Sequence, residues 1–289
     1  MGALHIGNNI VVPTVVKTVE VPGEGARYGA TMNTFFGRES QTATGVILYK
    51  PSTPTDIVID TVNELGSNVF VFWFYGNNAL RSISIPNLRV TNTSSLDHAF
   101  YNCTNLVSVT LGNSSHEISP GPEWLRNAFY GCTSLSNVYI NLGIANSLDL
   151  YYAFTDCTSL TSNPIPSLRS IGLNGSAYRC LDSCFMRCTG LVTFTFDNVS
   201  HIYASKALQN TFANCTNLRT LNFPALLNVQ SEQYGYTNTD QFRDMLYGCS
   251  NVTVHFPSNM QAKIGNWTDV TNGFGGTNTT VLFDLEATE

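Results

Sequence analysis

Apolar residues recur along this chain in a three-anchor pattern rather than in one continuous helical or strand period. Each strong copy has a small or unbranched residue followed by an apolar one, then a cysteine three positions on, and a leucine or valine three positions later. The cysteines of these copies are Cys103, Cys132, Cys157, Cys188, Cys215 and Cys249, and Asn77 holds the same position in a weaker first copy. Successive copies are 25 to 34 residues apart. A pattern kept over about seven copies predicts a repeat protein.

After each cysteine, apolar and polar residues alternate over a short segment. In the second copy, Val109 and Leu111 share one face of a predicted strand, and Ser108 and Thr110 share the other. This alternation is typical of a β-strand with one buried face. One unit cannot bury its own apolar face, so the units must stack, and their strands then lie side by side in parallel.

Before each cysteine, the chain has too few residues for an independent helix. Residues 96–100 and 125–129 are short apolar segments, whereas an isolated helix needs about 12–15 residues to be stable in water. One helical or 3-10 turn is therefore predicted at this point of each unit. Its alanine lets neighbouring turns approach closely, and its phenylalanine fills the interior.

The two ends of the chain lack the repeat. Residues 1–70 contain strand-like segments at 15–21, 46–49 and 57–59, separated by proline and glycine, which predicts a small β-rich attachment or capping module. Residues 71–256 form the repeat region. Residues 257–289 contain turn sequences and a strand candidate at 281–283. They are predicted to form a C-terminal cap, because the last apolar face of a stack must be covered.

The distribution of charge narrows the classes of function. Charged residues make up 12% of the chain, and 14 Lys and Arg against 20 Asp and Glu give a net charge of −6. The basic residues are scattered, whereas nucleic acid requires clustered Lys and Arg to neutralise its phosphates. No nucleic-acid partner is expected. Membrane insertion is not expected either, because the sequence shows no apolar run of about 20 residues and no secretory signal at its start.

The phrase Ala-Phe-x-x-Cys-Thr-x-Leu-x-x-Val-x-Ile, as it stands at 128–140, resembles the BspA-type leucine-rich repeat of bacterial surface proteins. The resemblance covers roughly residues 74–256 and implies a β-rich leucine-rich repeat solenoid. The family's unit is tighter and more regular, so the longer steps in this chain imply loop insertions on one side of the coil. The segment Asn163-Pro164-Ile165-Pro166 is expected to distort the strand after Leu160.

The cysteines are the first candidates for chemistry, since six of the eight occupy the repeat position. Stacking places these six in one internal column, where a free cysteine behaves as a small buried hydrophobic residue. A ladder of disulfides is the alternative. Cys180, Cys184 and Cys188 also have the spacing of one helix face and of a zinc site, although repeat slots already explain two of them and no fourth ligand is indicated.

Other catalytic signals are missing from the sequence. The five histidines are isolated and fall at unrelated repeat positions. No nucleophile elbow, phosphate loop or paired histidines on a helix can be found. No enzymatic activity, metal or cofactor is therefore expected.

The outward faces of the predicted strands form the candidate binding surface. Their residues are uncharged, and neighbouring strands should align them ~4.8 Å apart. They are Ser108, Thr110, Asn137, Tyr139, Thr193, Thr195, Thr220 and Asn222, with Ser82 and Ser84 in the weaker first copy. Such a surface suits contacts with glycan or protein through many weak hydrogen bonds. The alternative is that these are ordinary solvent-facing strand residues.

Two functions outside enzymology follow. The first is a structural or receptor-contacting component of a bacteriophage virion, such as a fibre, tail or capsid-decoration protein, with residues 1–70 attached to the particle and the solenoid projecting. The second is a bacterial cell-surface adhesin that binds host protein or glycan. The expected partners are other virion or cell-surface proteins, glycans or further copies of the chain. The expected location is a virion or the outside of a cell.

Overall fold

The computed structural model describes residues 74–86, 88, 96–113, 118, 125–142, 149–172, 180–229 and 240–287, together with five short strands that precede them. These strands are β1 Leu4–His5, β2 Val11–Val12, β3 Thr42–Ala43, β4 Val46–Ile47 and β5 Thr55–Val58. Two of the strands predicted near the N-terminus overlap β4 and β5. The third, at 15–21, lies outside the described residues, as do segments between coils such as 143–148 and 230–239.

The repeat region forms a solenoid of short strands. They are β6 Leu80–Ile85, β7 Ser108–Leu111, β8 Asn137–Ile140, β9 Ser170–Ile171, β10 Thr193–Thr195, β11 His201–Ile202, β12 Thr220–Asn222, β13 Asn228–Val229 and β14 Thr253–Pro257, followed by β15 Thr280–Leu285. The pairings among β5 to β15 are parallel. The predicted β-rich solenoid of parallel strands is confirmed.

These strands are divided among three sheets. The strands that follow the repeat position, with β5 before them and β15 after them, form two four-stranded sheets, in the orders β5-β6-β7-β8 and β10-β12-β14-β15. A second, shorter strand later in the coil forms the third sheet, in the order β13-β11-β9. The strand β5, which lies within the predicted N-terminal module, is thus the first rung of a solenoid sheet.

The segment before each cysteine forms successive β-turns, so the predicted helical or 3-10 turn is wrong. In the second coil, the N–H groups of Ala99, Tyr101 and Cys103 donate to carbonyls three residues earlier, at 2.9 to 3.2 Å. The N–H groups of the residues between them donate to the next coil instead. His98 and Asn102 have φ of 54° and 55°, which a right-handed helix does not allow. The turn therefore divides its backbone hydrogen bonds between its own coil and the next.

Two columns of phenylalanine rings run through the interior. The first is Phe74, Phe100, Phe129, Phe154, Phe185 and Phe212, with neighbouring centroids 5.1 to 5.7 Å apart. The second is Phe196, Phe223, Phe256 and Phe283, with centroids 4.9 to 5.7 Å apart. The rings of the first column are fully buried, and so are the repeat cysteines and leucines. The inward position predicted for the three anchors is confirmed.

After β14, the chain makes one more coil of a different kind. A 3-10 turn at Ser258–Met260 leads into helix α1 at Gln261–Ile264, and helix α2 covers Thr268–Thr271. The carbonyl of Phe274 then accepts from the N–H of Leu246 at 2.9 Å, as the equivalent residues do between earlier coils. The predicted final strand is present as β15. Among the described residues, no helix has the length and apolar character needed to cross a membrane.

Candidate functional site

The first half of the predicted binding surface lies on the sheet β5-β6-β7-β8. Ser108 is in register with Asn137, and Thr110 is in register with Tyr139, with Ser82 and Ser84 aligned beside them on β6. Asn137 is exposed, Tyr139 is 37% exposed, and the serine and threonine side chains are half-buried. The apolar residues between them, such as Val109, point into the core. The predicted inward and outward faces are therefore correct in this sheet.

The second half lies on the sheet β10-β12-β14-β15. Thr193 aligns with Thr220, and Thr195 aligns with Asn222. Asn222 Nδ2 donates to Thr195 Oγ1 at 3.1 Å, so these two aligned side chains are held together by a hydrogen bond. The row continues to His255 on β14.

His255 has a partner that the sequence does not reveal. Its Nδ1 lies 2.8 Å from Asp284 Oδ1 on β15. The two residues are 29 positions apart in the chain, and parallel pairing of β14 with β15 brings them together. The structure thus adds a titratable pair to one edge of a surface predicted to be uncharged.

The two halves are separate patches rather than one continuous ladder. In the described residues, the coil that contains Cys157 has no strand directly after Leu160, where other coils have one, and its first strand is β9 in the third sheet, so β8 has no strand partner on that side. Asn163 Oδ1 instead accepts from the N–H of Ile165 at 2.9 Å, and Asn163 Nδ2 donates to the carbonyl of Thr195 at 2.8 Å. The distortion predicted around Asn163 and Pro164 is present. It divides the eight predicted site residues into two groups of four.

A second surface feature, the tyrosine ladder of the half-buried residues Tyr75, Tyr101 and Tyr130, lies on the turn side of the coils. Neighbouring rings are 4.9 and 4.8 Å apart and within 5° of parallel. Burial, followed by the two flanking tyrosines, raises the pKa of Tyr101. Arg187 Nε and Nη2 each lie 2.6 Å from a carboxylate oxygen of Asp156, and Nη2 lies 3.4 Å from the Tyr130 hydroxyl. At Tyr130 the ladder therefore meets a bidentate ion pair between Arg187 and Asp156.

Reasoning from the sequence missed this ladder, although a signal for it was present. Tyrosine follows the buried phenylalanine directly in three copies, at Phe74-Tyr75, Phe100-Tyr101 and Phe129-Tyr130. Because the rings stack on one another, the faces between them are closed to a ligand. The ladder offers hydrogen-bonding groups at a regular spacing, rather than a flat aromatic platform.

The repeat cysteines act as hydrogen-bond donors within the turns. The Sγ–H of Cys103 donates to the carbonyl of Phe74 at 2.9 Å, and that of Cys157 donates to the carbonyl of Phe129 at 3.2 Å. The other four repeat cysteines do the same at 3.0 to 3.1 Å. All eight cysteines are buried free thiols, which confirms the prediction over a disulfide ladder. Burial raises the pKa of Cys157 far above its usual value and that of Cys249 to about 11.

The zinc arrangement considered for Cys180, Cys184 and Cys188 has no helix to support it. Ser183 and Arg187 have φ of 56° and 60°, so the three cysteines do not share a helix face. All three are buried, and burial raises the pKa of Cys180 to about 12, whereas zinc is bound by thiolates. In the part of the chain that the structure describes, no group of three or more His, Cys, Asp or Glu residues is placed to hold a metal.

Comparison with protein-family models agrees with this architecture. A family model for the BspA type Leucine rich repeat region matches six copies, over residues 67–174 and 125–240. A leucine-rich repeat protein from Bacteroides ovatus is 14% identical with a TM-score of 0.27, and the match covers 81% of this chain and 73% of that one. A leucine rich cell surface protein from Faecalibacterium prausnitzii is 13% identical with a TM-score of 0.22, covering 76% and 83%. No curated protein matches the chain.

Proposed function

The chain belongs to the BspA-type leucine-rich repeat family, and on that premise we propose that it is a non-enzymatic binding protein on the surface of a phage virion. In this proposal the solenoid is a rigid support that presents the outward faces of its two sheets to a host-surface glycan or protein. The observation that carries it is the register of uncharged polar side chains across neighbouring parallel strands.

The geometry of the strand faces supports a ligand that is held at many points. One hydrogen bond adds only about 0.5–1.5 kcal/mol net, so useful affinity requires several made at once. Within the described residues, the side chains of Thr193 and Thr220 form no hydrogen bond with another part of the chain. Their hydroxyl groups are therefore available to a partner, and the parallel pairing of β10 with β12 fixes their separation.

The state of the thiols supports binding rather than covalent catalysis. A nucleophilic cysteine needs a depressed pKa and access to the substrate. The repeat cysteines have the opposite properties, because burial raises the pKa of residues such as Cys132 and Cys188. Their protons are also engaged by backbone carbonyls of the preceding coil.

Placement on a virion is the finer part of the proposal. It draws support from the low content of charged residues, 12%, and from the stretch before residue 74, whose sequence pattern differs from the repeat and suits attachment to a particle. Mass spectrometry of purified particles, with the host cell envelope as the matched fraction, tests this placement. The chain should be found in the particles, whereas its recovery in the envelope alone would instead support a bacterial adhesin.

A glycan array and a binding titration test the site itself. Tyr139→Ala and Thr193→Arg each change an outward strand-face residue, and we expect each to weaken binding at least about tenfold by removing or blocking contacts. Tyr247→Ala is the matched control, because Tyr247 is 59% exposed but lies on the turn side. If both strand-face variants bind as the unmodified chain does, the strand faces are not the site. Loss of binding in Tyr101→Ala alone would then assign it to the tyrosine ladder.

A further inference from the structure

The strand β15 leaves one of its edges open. On one side it pairs with β14, and on the other side no described strand pairs with it. Its residues alternate between exposed and half-buried along the whole strand, and Leu282 is 37% exposed. By contrast, the inward residues of β14 are fully buried. The solenoid core is therefore less covered at the open edge than at β14.

The second column of phenylalanine rings ends at this edge. Phe196, Phe223 and Phe256 are buried and stack at centroid distances of 4.9 Å. Phe283 stacks on Phe256 at 5.7 Å but is only half-buried. Among the described aromatic residues, no ring covers its other face. The column thus stops with one ring face uncovered.

The composition of β15 does not protect its edge. Natural proteins blunt exposed edge strands with lysine, proline or inward-pointing charge. The strand Thr280–Leu285 has the sequence TVLFDL, which contains neither lysine nor proline. Its one charged residue, Asp284, is engaged by His255 of the adjacent strand. A β-rich, weakly charged edge of this kind is expected to acquire a partner strand.

We propose that β15 pairs antiparallel with β15 of a second copy of this chain, about a two-fold axis at Phe283. In this register Phe283 lies opposite its counterpart, and Val281 lies opposite Leu285 of the second copy. Side chains on the same face stay together, so the half-buried residues of the two strands form one apolar layer. On the other face, Leu282 lies opposite Asp284.

Backbone geometry agrees with this register. The N–H of Thr280 donates to Val252, towards β14. Because successive N–H groups of a strand point to opposite sides, those of Val281 and Phe283 point to the open edge. The pairing of β14 with β15 is regular up to Leu282 and shifts register between His255 and Pro257. Residues that exchange hydrogen bonds in an antiparallel pair have Cα atoms about 5.5 Å apart, which brings the ring of Phe283 beside its counterpart. The ring column then continues across the two-fold axis.

The opposite end of the solenoid favours a closed dimer over a filament. There, β1 lies against β5, the first rung of the other sheet. Head-to-tail growth requires two different open ends, whereas an isologous contact requires the same surface on both subunits. The free edge of β15 meets the second requirement, so association stops at two copies.

Sedimentation velocity of the full chain tests the proposal, and the expected mass is twice 31.6 kDa. Leu282→Glu places like charges opposite each other at two symmetric positions, so we expect the dissociation constant to rise at least about tenfold. Leu282→Lys changes the same exposed side chain but places opposite charges together, so we expect its dissociation constant to be at least about tenfold lower than that of Leu282→Glu. A monomer at every concentration would overturn the proposal. Equal effects of the two variants would overturn the register.

Disulfide trapping provides a second measurement that does not depend on affinity. Phe283→Cys places two thiols opposite each other, at a Cα separation that a disulfide accepts. We expect this variant to form a covalent dimer under mild oxidation. Val281→Cys is the matched control, since Val281 faces Leu285 and not itself. Cross-linking of the control but not of Phe283→Cys, or of neither in a folded protein, would refute pairing about Phe283.

Discussion

Removal of one ring from the first phenylalanine column tests the stacking argument most directly. Phe129 is fully buried, and its ring lies 5.1 Å from those of Phe100 and Phe154, at interplanar angles of 2° and 10°. Replacing a buried phenylalanine by alanine typically costs about 3–5 kcal/mol. Since Phe129 is stacked on both sides, we expect Phe129→Ala to cost about 5 kcal/mol, a large part of the 5–15 kcal/mol by which domains are stable.

A leucine at the same position separates the contribution of ring stacking to stability from the contribution of burial. Leu246 holds the equivalent repeat position in a later coil and is fully buried, so this position accepts a leucine. Phe129→Leu keeps most of the buried area but loses two stacked pairs, each worth about 0.5–1.5 kcal/mol. We therefore expect a loss of about 1–3 kcal/mol, measured by urea unfolding with the m-value unchanged. An alanine variant that loses under about 2 kcal/mol, or a leucine variant that loses as much as alanine, would refute this account.

Three further predictions concern the thiols, a turn glycine and one aspartate. A thiol reagent should count eight free thiols in denaturant and almost none in the folded chain near pH 8, because burial raises the pKa of the repeat cysteines. A count of six or fewer in denaturant would contradict the free-thiol structure. Gly131→Ala should destabilise the chain by at least about 1 kcal/mol more than Gly76→Ala. Both glycines have positive φ, but only at Gly131 would an added Cβ meet a side chain, at 2.1 Å from Asn102 Oδ1. Equal shifts of the melting temperature in the two variants would refute this. Burial raises the pKa of Asp269, so the carboxylate opposes folding as pH rises through the window above its ordinary pKa of about 3.9. Asp269→Asn should therefore stabilise the chain at pH 7 and lose that advantage below this window, as followed by thermal melts across pH; the same gain at both pH values would contradict the assignment.

Much of the fold could be predicted because the three anchors repeat at fixed spacing. Phe, Cys and Leu at those positions point inward for the same reason in every coil, so one copy identifies the buried face of the others. Strand faces followed from alternation, as at Val109 between Ser108 and Thr110. The break at Asn163-Pro164 was also readable from the sequence, because proline cannot donate to a strand ladder.

The rest depended on contacts between coils, which spacing does not record. The turns look helical in sequence, yet every second N–H bonds to the next coil, and residues such as His98 adopt positive φ to allow it. The pair of His255 with Asp284 joins residues from different coils. The tyrosine ladder does so too, but its tyrosines follow the buried phenylalanine in three copies and were missed. The open edge of β15 could not be predicted either, since the sequence of 281–283 predicts a strand whether or not another strand pairs with it.

The repeat cysteine shows how a correct interpretation from sequence can still leave out the physical reason. Burial of a small hydrophobic residue explains why the side chain is inside, but alanine or valine satisfies that requirement equally well. The carbonyl of Phe129 accepts two bonds, from the N–H of Cys132 in its own coil at 3.1 Å and from the Sγ of Cys157 in the next at 3.2 Å. Cysteine is a small apolar residue that also carries a weak donor. It therefore links consecutive coils without bringing a strongly hydrated group into the core.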